Sequence, residues 1–287
     1  MNSNEIASKW INQVKGLVSP PDICIRIFEL IESQTASTRQ LGDVISQDPN
    51  LSARLLKIVN SSYYHFSSRI DTVSRAITVI GIRELSSLVL AVSAAKTFRN
   101  LPSELVSIDT FWRHSIYTAL IARELAKRCH ILHPERLFVA GLMHDIGSLI
   151  IYNRVPAAAK TILLQSYGSE NAVYTLENEV LKTNHAQIGG MLLAKWMLPE
   201  ILREAISFHH EPELCTTAPV EAAIVHIAEV LANATIVGGF STEACGQDDV
   251  PASAWKTARI NADELDIDEL VSAAGLHFVS MNESLNG

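Results

Sequence analysis

His144 and Asp145 stand side by side in the run Val139-Ala-Gly-Leu-Met-His-Asp-Ile-Gly147. An imidazole next to a carboxylate at the polar end of an apolar segment is the beginning of a metal site. The remaining components occur at wide spacing: His114 upstream, then His185, the pair His209-His210, and Glu229. Imidazole nitrogen mixed with carboxylate oxygen suits a borderline first-row ion such as iron, manganese, zinc or nickel, whereas an all-oxygen set suits magnesium or calcium. Neighbours on a helix point about 100° apart, so His144 and Asp145 can converge only from a helix end or an irregular turn. Gly147, just beyond, is the residue that would permit one. An aspartate so placed can give each of its oxygens to a different ion. His226 lies one turn before Glu229 on the same face and reads as a core or supporting residue; His65, His130, His133 and His277 read as surface or loop residues.

Helices must hold these residues. Asp22 caps a segment carrying Ile23, Ile27, Leu30 and Ile31 on one side. Ser37 opens the next, and Pro49 begins a third whose apolar positions run from Leu51 to Val59 and which stops at Asn60. Thr72 to Ile80 is a short helix ended by Gly81, and Arg83 to Phe98 a longer one. Asn100-Leu-Pro102-Ser is a linker, beyond which the spacing predicts helices near 109–129, 134–153, 156–167, 170–181, 185–196, 199–210 and 219–236. An irregular loop over 237–251 and a short helix from about Asp266 complete the chain. No segment alternates as a half-buried strand does, so the fold is expected to be all-α.

With 287 residues, 48% hydrophobic and 19% charged, the chain can bury a substantial core. A net charge of -8 without a dense Lys/Arg run argues against direct nucleic-acid binding. Cys24, Cys129, Cys215 and Cys245 are scattered, with no CxxC pair, as expected of reduced thiols in the cytoplasm. The N-terminus shows no signal-peptide pattern, and the longest apolar run, Leu88 to Ala95, is too short for a bilayer. A cytoplasmic protein without membrane insertion is expected.

The order His114…His144-Asp145…Glu229 resembles the His…His-Asp…Asp pattern of HD-superfamily phosphohydrolases. Ile45-Ser-Gln-Asp48-Pro49-Asn-Leu-Ser-Ala-Arg54-Leu-Leu-Lys-Ile-Val-Asn60-Ser61 is similar to the signature of HDOD, the HD-related output domain of bacterial signalling proteins. Ala76-Ile-Thr-Val-Ile-Gly81, Phe111-Trp-Arg-His114-Ser115, Ala140-Gly-Leu-Met-His144-Asp-Ile-Gly147 and His185-Ala-Gln-Ile-Gly189 match it as well. The resemblance covers roughly residues 15–235. It implies a small N-terminal helical bundle (1–101) packed on an HD-type helical subdomain (102–236), with 237–287 lying against the body. It also implies that His114, His144, Asp145 and the final acid hold one ion, that His185, His209 and His210 hold a second, and that Asp145 bridges them.

Three positions depart from the related HD-GYP phosphodiesterases. The last acid is Glu229 in place of Asp, Ser148 stands where a Lys follows the His-Asp pair, and Glu211-Pro212-Glu213-Leu214 replaces Gly-Tyr-Pro after His209-His210. The resemblance therefore implies a signalling module that acts through binding a protein or a ligand such as a nucleotide or other phosphate compound, with a retained site for one or two transition ions and no catalysis. The alternative is a metal-dependent phosphohydrolase acting on a nucleotide or other phosphoester, in which Asp145 is catalytic and Arg113, Lys182 or Lys195 replaces the missing lysine.

Overall fold

Apolar positions recurring every three to four residues, separated by polar caps, produce helices throughout the computed structural model, which describes residues 2–14, 22–32, 37–61, 64, 66–98, 105–239 and 249–286. The first part comprises α1 (Ser3–Gln13), α2 (Asp22–Glu32), α3 (Thr38–Ile45), α4 (Pro49–Val59), α5 (Val73–Ile80) and α6 (Ile82–Phe98). The second comprises α7 (Ile108–Arg128), α8 (Glu135–Met143), α9 (Ile146–Arg154), α10 (Pro156–Gln165), α11 (Glu170–Leu181), α12 (His185–Lys195), α13 (Glu200–Ser207) and α14 (Pro219–Asn233). α15 (Ala252–Ala258) and α16 (Ile267–Asn286) follow. No strand occurs among the described residues, and the fold is all-α.

The caps are those the sequence offers. Ser37 accepts from the Gln40 N–H while Gln40 accepts from Ser37, and Asp48 accepts from the N–H groups of Asn50 and Leu51 ahead of Pro49. Gly81 ends α5 at φ +91°, a conformation that favours glycine. Asn60 accepts from Ile70 N–H at 2.7 Å and donates to Leu56 and Ile70 carbonyls, so it ends α4 and pins the following loop.

Four elements depart from the expectation. α1 forms on a capping box between Asn2 and Glu5 and buries Ala7 and Ile11. The helix expected over 134–153 is two helices, interrupted at His144-Asp145. α15 adds a helix within the last segment, and α16 is not short: it runs 20 residues and buries His277. The expected linker, 100–103, most of the expected loop, 240–248, and His65 lie outside the described residues.

One continuous apolar cluster runs from Ala7 to Leu285. α7 lies at its centre, flanked by α8, α14 and α16. α6 packs on α8, and α16 packs on both α7 and α4. α1 rests on α9 and α12, on the far side of the 101/102 boundary expected from sequence, where Gln187 donates to Asn4 at 2.6 Å and Arg154 to Gln13 at 2.7 Å. No helix among the described residues is long and apolar enough to cross a membrane.

Candidate metal centre

Five elements deliver the chemistry-bearing side chains. His114 comes from the middle of α7, His144 and Asp145 from the α8–α9 break, and His185 from the first residue of α12. His209 and His210 follow α13, and Glu229 lies on α14. Inside a continuous helix His144 and Asp145 would diverge. Here His144 closes α8 with helical dihedrals, and Asp145 sits at φ -95°, ψ 6°, which turns the chain and brings both side chains inward. Asn184 caps α12 through the Gln187 N–H and fixes His185 at the helix start.

Gly147 does not form that turn; it is the second residue of α9. A Cβ there would stand 2.0 Å from the His185 carbonyl oxygen, so its role is to let α9 press against the start of α12. Gly141 does the same for α8 against α7, where a Cβ would lie 2.7 Å from Ala119 Cα. Without side chains at these two crossings, His114, His144 and His185 come within reach of Asp145.

Four imidazoles are oriented in one way. Nδ1 of His114, His144 and His209 lies 2.7 Å from the carbonyl oxygens of Gly238, Gly141 and Ile206 respectively, and Nδ1 of His185 lies 2.7 Å from Glu177 Oε2. Carbonyl and carboxylate oxygens only accept, so Nδ1 carries the proton in each ring and Nε2 is left to bind a cation. All four rings are fully buried.

The Nε2 atoms then pair. His114 and His144 are 3.3 Å apart at Nε2, and His185 and His210 are 2.9 Å apart. Two nitrogens bound to one ion at ~2.1 Å, roughly 90–110° apart, are separated by about 3.0–3.4 Å. Asp145 lies between the pairs: Oδ2 is 3.3 Å from His144 and 3.9 Å from His114, while Oδ1 is 3.4 Å from His185. One carboxylate oxygen therefore faces each pair, the disposition of a bridging ligand. His114, His144 and Asp145 form one tight group and His185, His209 and His210 another.

Glu229 stands elsewhere. Its oxygens are 3.8 Å from His209 Nε2, 4.0 Å from His210 Nε2 and 4.0 Å from His226 Nδ1, and it groups with His210 and His226 rather than with His114, His144 and Asp145. His226 is buried and makes no hydrogen bond to Glu229.

Electrostatics agree with a cation here. Burial opposes charge on Asp145, but His144, His185 and His114 outweigh it and hold the carboxyl well below the usual range. Burial likewise opposes charge on His185, yet Glu177, Asp145 and Glu170 push it up to about 10, so positive charge is favoured beside Asp145. For Glu229, burial and the nearby Asp145 and Glu170 push the carboxyl well above its ordinary value. Asp145 Oδ1, His209 Nε2, His210 Nδ1 and both Glu229 oxygens are buried without a hydrogen-bond partner. Such groups are costly unless a ligand satisfies them, and a nitrogen–oxygen set of this composition fits a first-row transition ion.

Two residues escaped the sequence reading. Glu177 accepts from both the N–H and Nδ1 of His185. Its signal was present: Val173, Glu177 and Leu181 share one buried stripe of α11, and an acid on an apolar stripe needs a partner. Tyr174 stacks on His210 with ring centroids 4.6 Å apart while its hydroxyl donates to Glu211 at 2.7 Å.

A cavity of about 610 Å³ reaches Asp145; Ser148, Tyr152 and Glu170 join it, with Leu105, Val106 and Tyr167 farther out. A smaller one of about 160 Å³ reaches Glu229 and His226, and Glu170 borders both. Arg113, Lys182 and Lys195 line neither, and Lys195 donates to Asn12 on α1.

Residues 17–212 match the family model of the HDOD domain. A curated protein of Treponema pallidum (strain Nichols), itself uncharacterized, is 26% identical over 212 residues, which is 72% of this chain but 40% of that protein. The chain thus spans well under half of that relative's length. Among solved structures, an HDOD domain protein of unknown function from Geobacter sulfurreducens superposes with TM-score 0.74 at 22% identity, over 99% of this chain and 97% of that one. A candidate phosphohydrolase from Shewanella amazonensis SB2B gives 0.72 at 23% identity, over 98% of each chain. A candidate metal-dependent phosphohydrolase from the same organism gives 0.66 at 18% identity, over 98% and 99%. At these identities the likeness is one of fold.

Proposed function

The chain belongs to the HDOD domain family, and on that premise we propose that it is a bacterial signalling module that holds one or two first-row transition ions and acts through a protein partner, without turnover. One observation carries the metal: three buried rings, His114, His144 and His185, with Nδ1 tied to acceptors, turn Nε2 toward the divided carboxylate of Asp145, while the fourth, His209, turns its Nε2 toward Glu229. An ion bound there would neutralise the buried carboxylates. The ligands themselves join α7, the α8–α9 break, α12 and the end of α13, so their engagement fixes how these elements sit and what face a partner meets. The cavity over Asp145 supports the regulatory reading. Its wall is acidic and neutral, with Ser148 where a phosphate-binding lysine would stand.

The test is elemental analysis of untagged protein purified without chelator, beside the His144→Ala/Asp145→Ala variant. About one or two equivalents of iron, manganese, zinc or nickel, lost in the variant, is the expected result. Protein that is metal-free and takes none up overturns the proposal.

A second reading has its own support, because Asp145 forms part of the wall of the 610 Å³ cavity. A bound ion supplies an acidified water and charge neutralisation for phosphoester hydrolysis. Asp145 would position the nucleophile, and Ser148 and Tyr152 would contact the substrate. Metal-dependent turnover of a nucleotide or phosphodiester, abolished in Asp145→Asn, would establish this reading and displace the first.

A further inference from the structure

The buried atoms without partners are not spread evenly. Nδ1 is anchored in His114, His144, His185 and His209, but not in His210 or His226, and both oxygens of Glu229 also lack a hydrogen bond. These unsatisfied groups gather on the α14 side. His226 and Glu229 project from the same face of α14 at i and i+3, and His210 faces them from the end of α13. One ligand atom from each of the three lies within 4.8 Å of the others. His226 is 2% exposed and Glu229 1%.

Hydrogen bonding within the protein does not account for this cluster. His226 Nδ1 and Glu229 Oε2 are 4.0 Å apart, too far for a bond, and neither has another partner. A buried carboxylate beside two buried imidazoles is costly as it stands and favourable around a cation. Ligand atoms of a tetrahedral ion sit about 3.4 Å apart, so small side-chain rotations would close the set. The cluster also has an opening of its own. The 160 Å³ cavity reaches His226 and Glu229 between Asn171, Asn233 and Asp249, and is large enough for water to complete a coordination shell.

We propose that His226 and Glu229, joined by His210, form a further position for a first-row transition ion, adjoining the Asp145-centred pair through His210 and entered through the smaller cavity. The longer glutamate side chain at 229 belongs to this position: it turns the last acid toward His226 instead of toward His114 and His144. Three protein ligands and one open place are the composition of an exchangeable site more than of a closed structural one.

Cobalt(II) titration of chelator-treated protein tests this, read by ligand-field absorption and by elemental analysis after gel filtration. The wild-type protein is expected to bind one equivalent more than His226→Gln, with helicity unchanged in the variant, and Glu229→Gln to lose the same equivalent. His144→Ala/Asp145→Ala is expected to keep it. If His226→Gln and Glu229→Gln bind cobalt like the wild type while the double variant loses its ions, this inference falls and the Asp145-centred reading stands. In crystals soaked with cobalt, an anomalous peak at ~2.1 Å from His226 Nδ1 is expected; density elsewhere but not there overturns the assignment without reliance on any variant.

Discussion

Glu177 accepts from the His185 backbone N–H at 2.8 Å and from Nδ1 at 2.7 Å, so one carboxylate sets both the start of α12 and the direction of the ring. Replacement by glutamine removes the charge that makes Nε2 a strong donor and weakens the orientation. Outer partners of ligating histidines are worth about 10–100-fold in metal affinity, and a loss of that size is expected for Glu177→Gln in competition against a chromophoric chelator. Affinity equal to wild type would mean that the contact serves only to cap α12. Seven candidate positions could be picked out from sequence because donor chemistry follows from residue type and order, but the grouping could not: Glu229 lies with His210 and His226 and not with His114, His144 and Asp145. Glu177 could not be assigned, since nothing local tells which buried group an acid on an apolar stripe will meet. The anchors of His114, His144 and His209 were equally hidden: they are backbone carbonyls of Gly238, Gly141 and Ile206, and backbone acceptors leave no trace in side-chain pattern.

At the scale of elements, close helix contacts bring the candidate ligands together. A methyl group at position 147 would meet the His185 carbonyl oxygen at 2.0 Å, and the obstacle is backbone, which cannot rotate aside. Overpacking of this kind costs about 1–3 kcal/mol or more. Gly147→Ala is expected to lower stability by at least that in urea denaturation and to weaken metal binding, because α12 carries His185 away from Asp145; stability loss with unchanged affinity would show that the helix shift spares the ligands. Glu84 reports on the packing of α6 against α8. Burial first and Glu135 second push its carboxyl up to about 7, against Arg136; His133 lies 3.5 Å from Oε1, and Oε2 has no partner. A carboxyl raised on folding contributes its stability in the protonated form. That contribution is whole below the ordinary carboxylate range and lost as pH rises through about 7. Glu84→Gln should therefore gain on wild type between about pH 5 and pH 8, by about 1 kcal/mol after allowance for solvent at half-exposed His133; thermal midpoints that move in parallel would refute it. Helix positions were readable because caps and periodicity are local. The interruption at His144-Asp145 was implied by the need for both side chains to converge but left no mark in the periodicity, since apolar residues continue straight through it.

For the whole molecule, the question is whether an ion in one half is felt in the other. The boundary expected near residue 100 falls on a linker outside the described residues, and the contacts that cross it join residues far apart in sequence. α16 spans the division: Tyr117 on α7 donates to Val271, and on α4 Lys57 donates to the Glu283 carbonyl and Arg54 to that of Leu285. α6 meets α8 directly, and the apolar cluster is continuous from Ala7 to Leu285. A molecule joined in this way should open globally as one unit. An ion present at about 100 times its Kd then stabilises the native state by about 2.7 kcal/mol, and amides that exchange only through global opening share that gain wherever they lie. Hydrogen exchange with and without zinc should therefore slow the most protected amides of α3 to α5 about as much as those of α12, roughly 100-fold. Protection confined to α7–α14 would divide the molecule into two independent units and leave an ion in the second half no path to a partner bound on the first. Uniform protection would mean that the two halves unfold as one unit, so that occupancy of the centre is felt energetically throughout the molecule, as the proposed regulatory role requires.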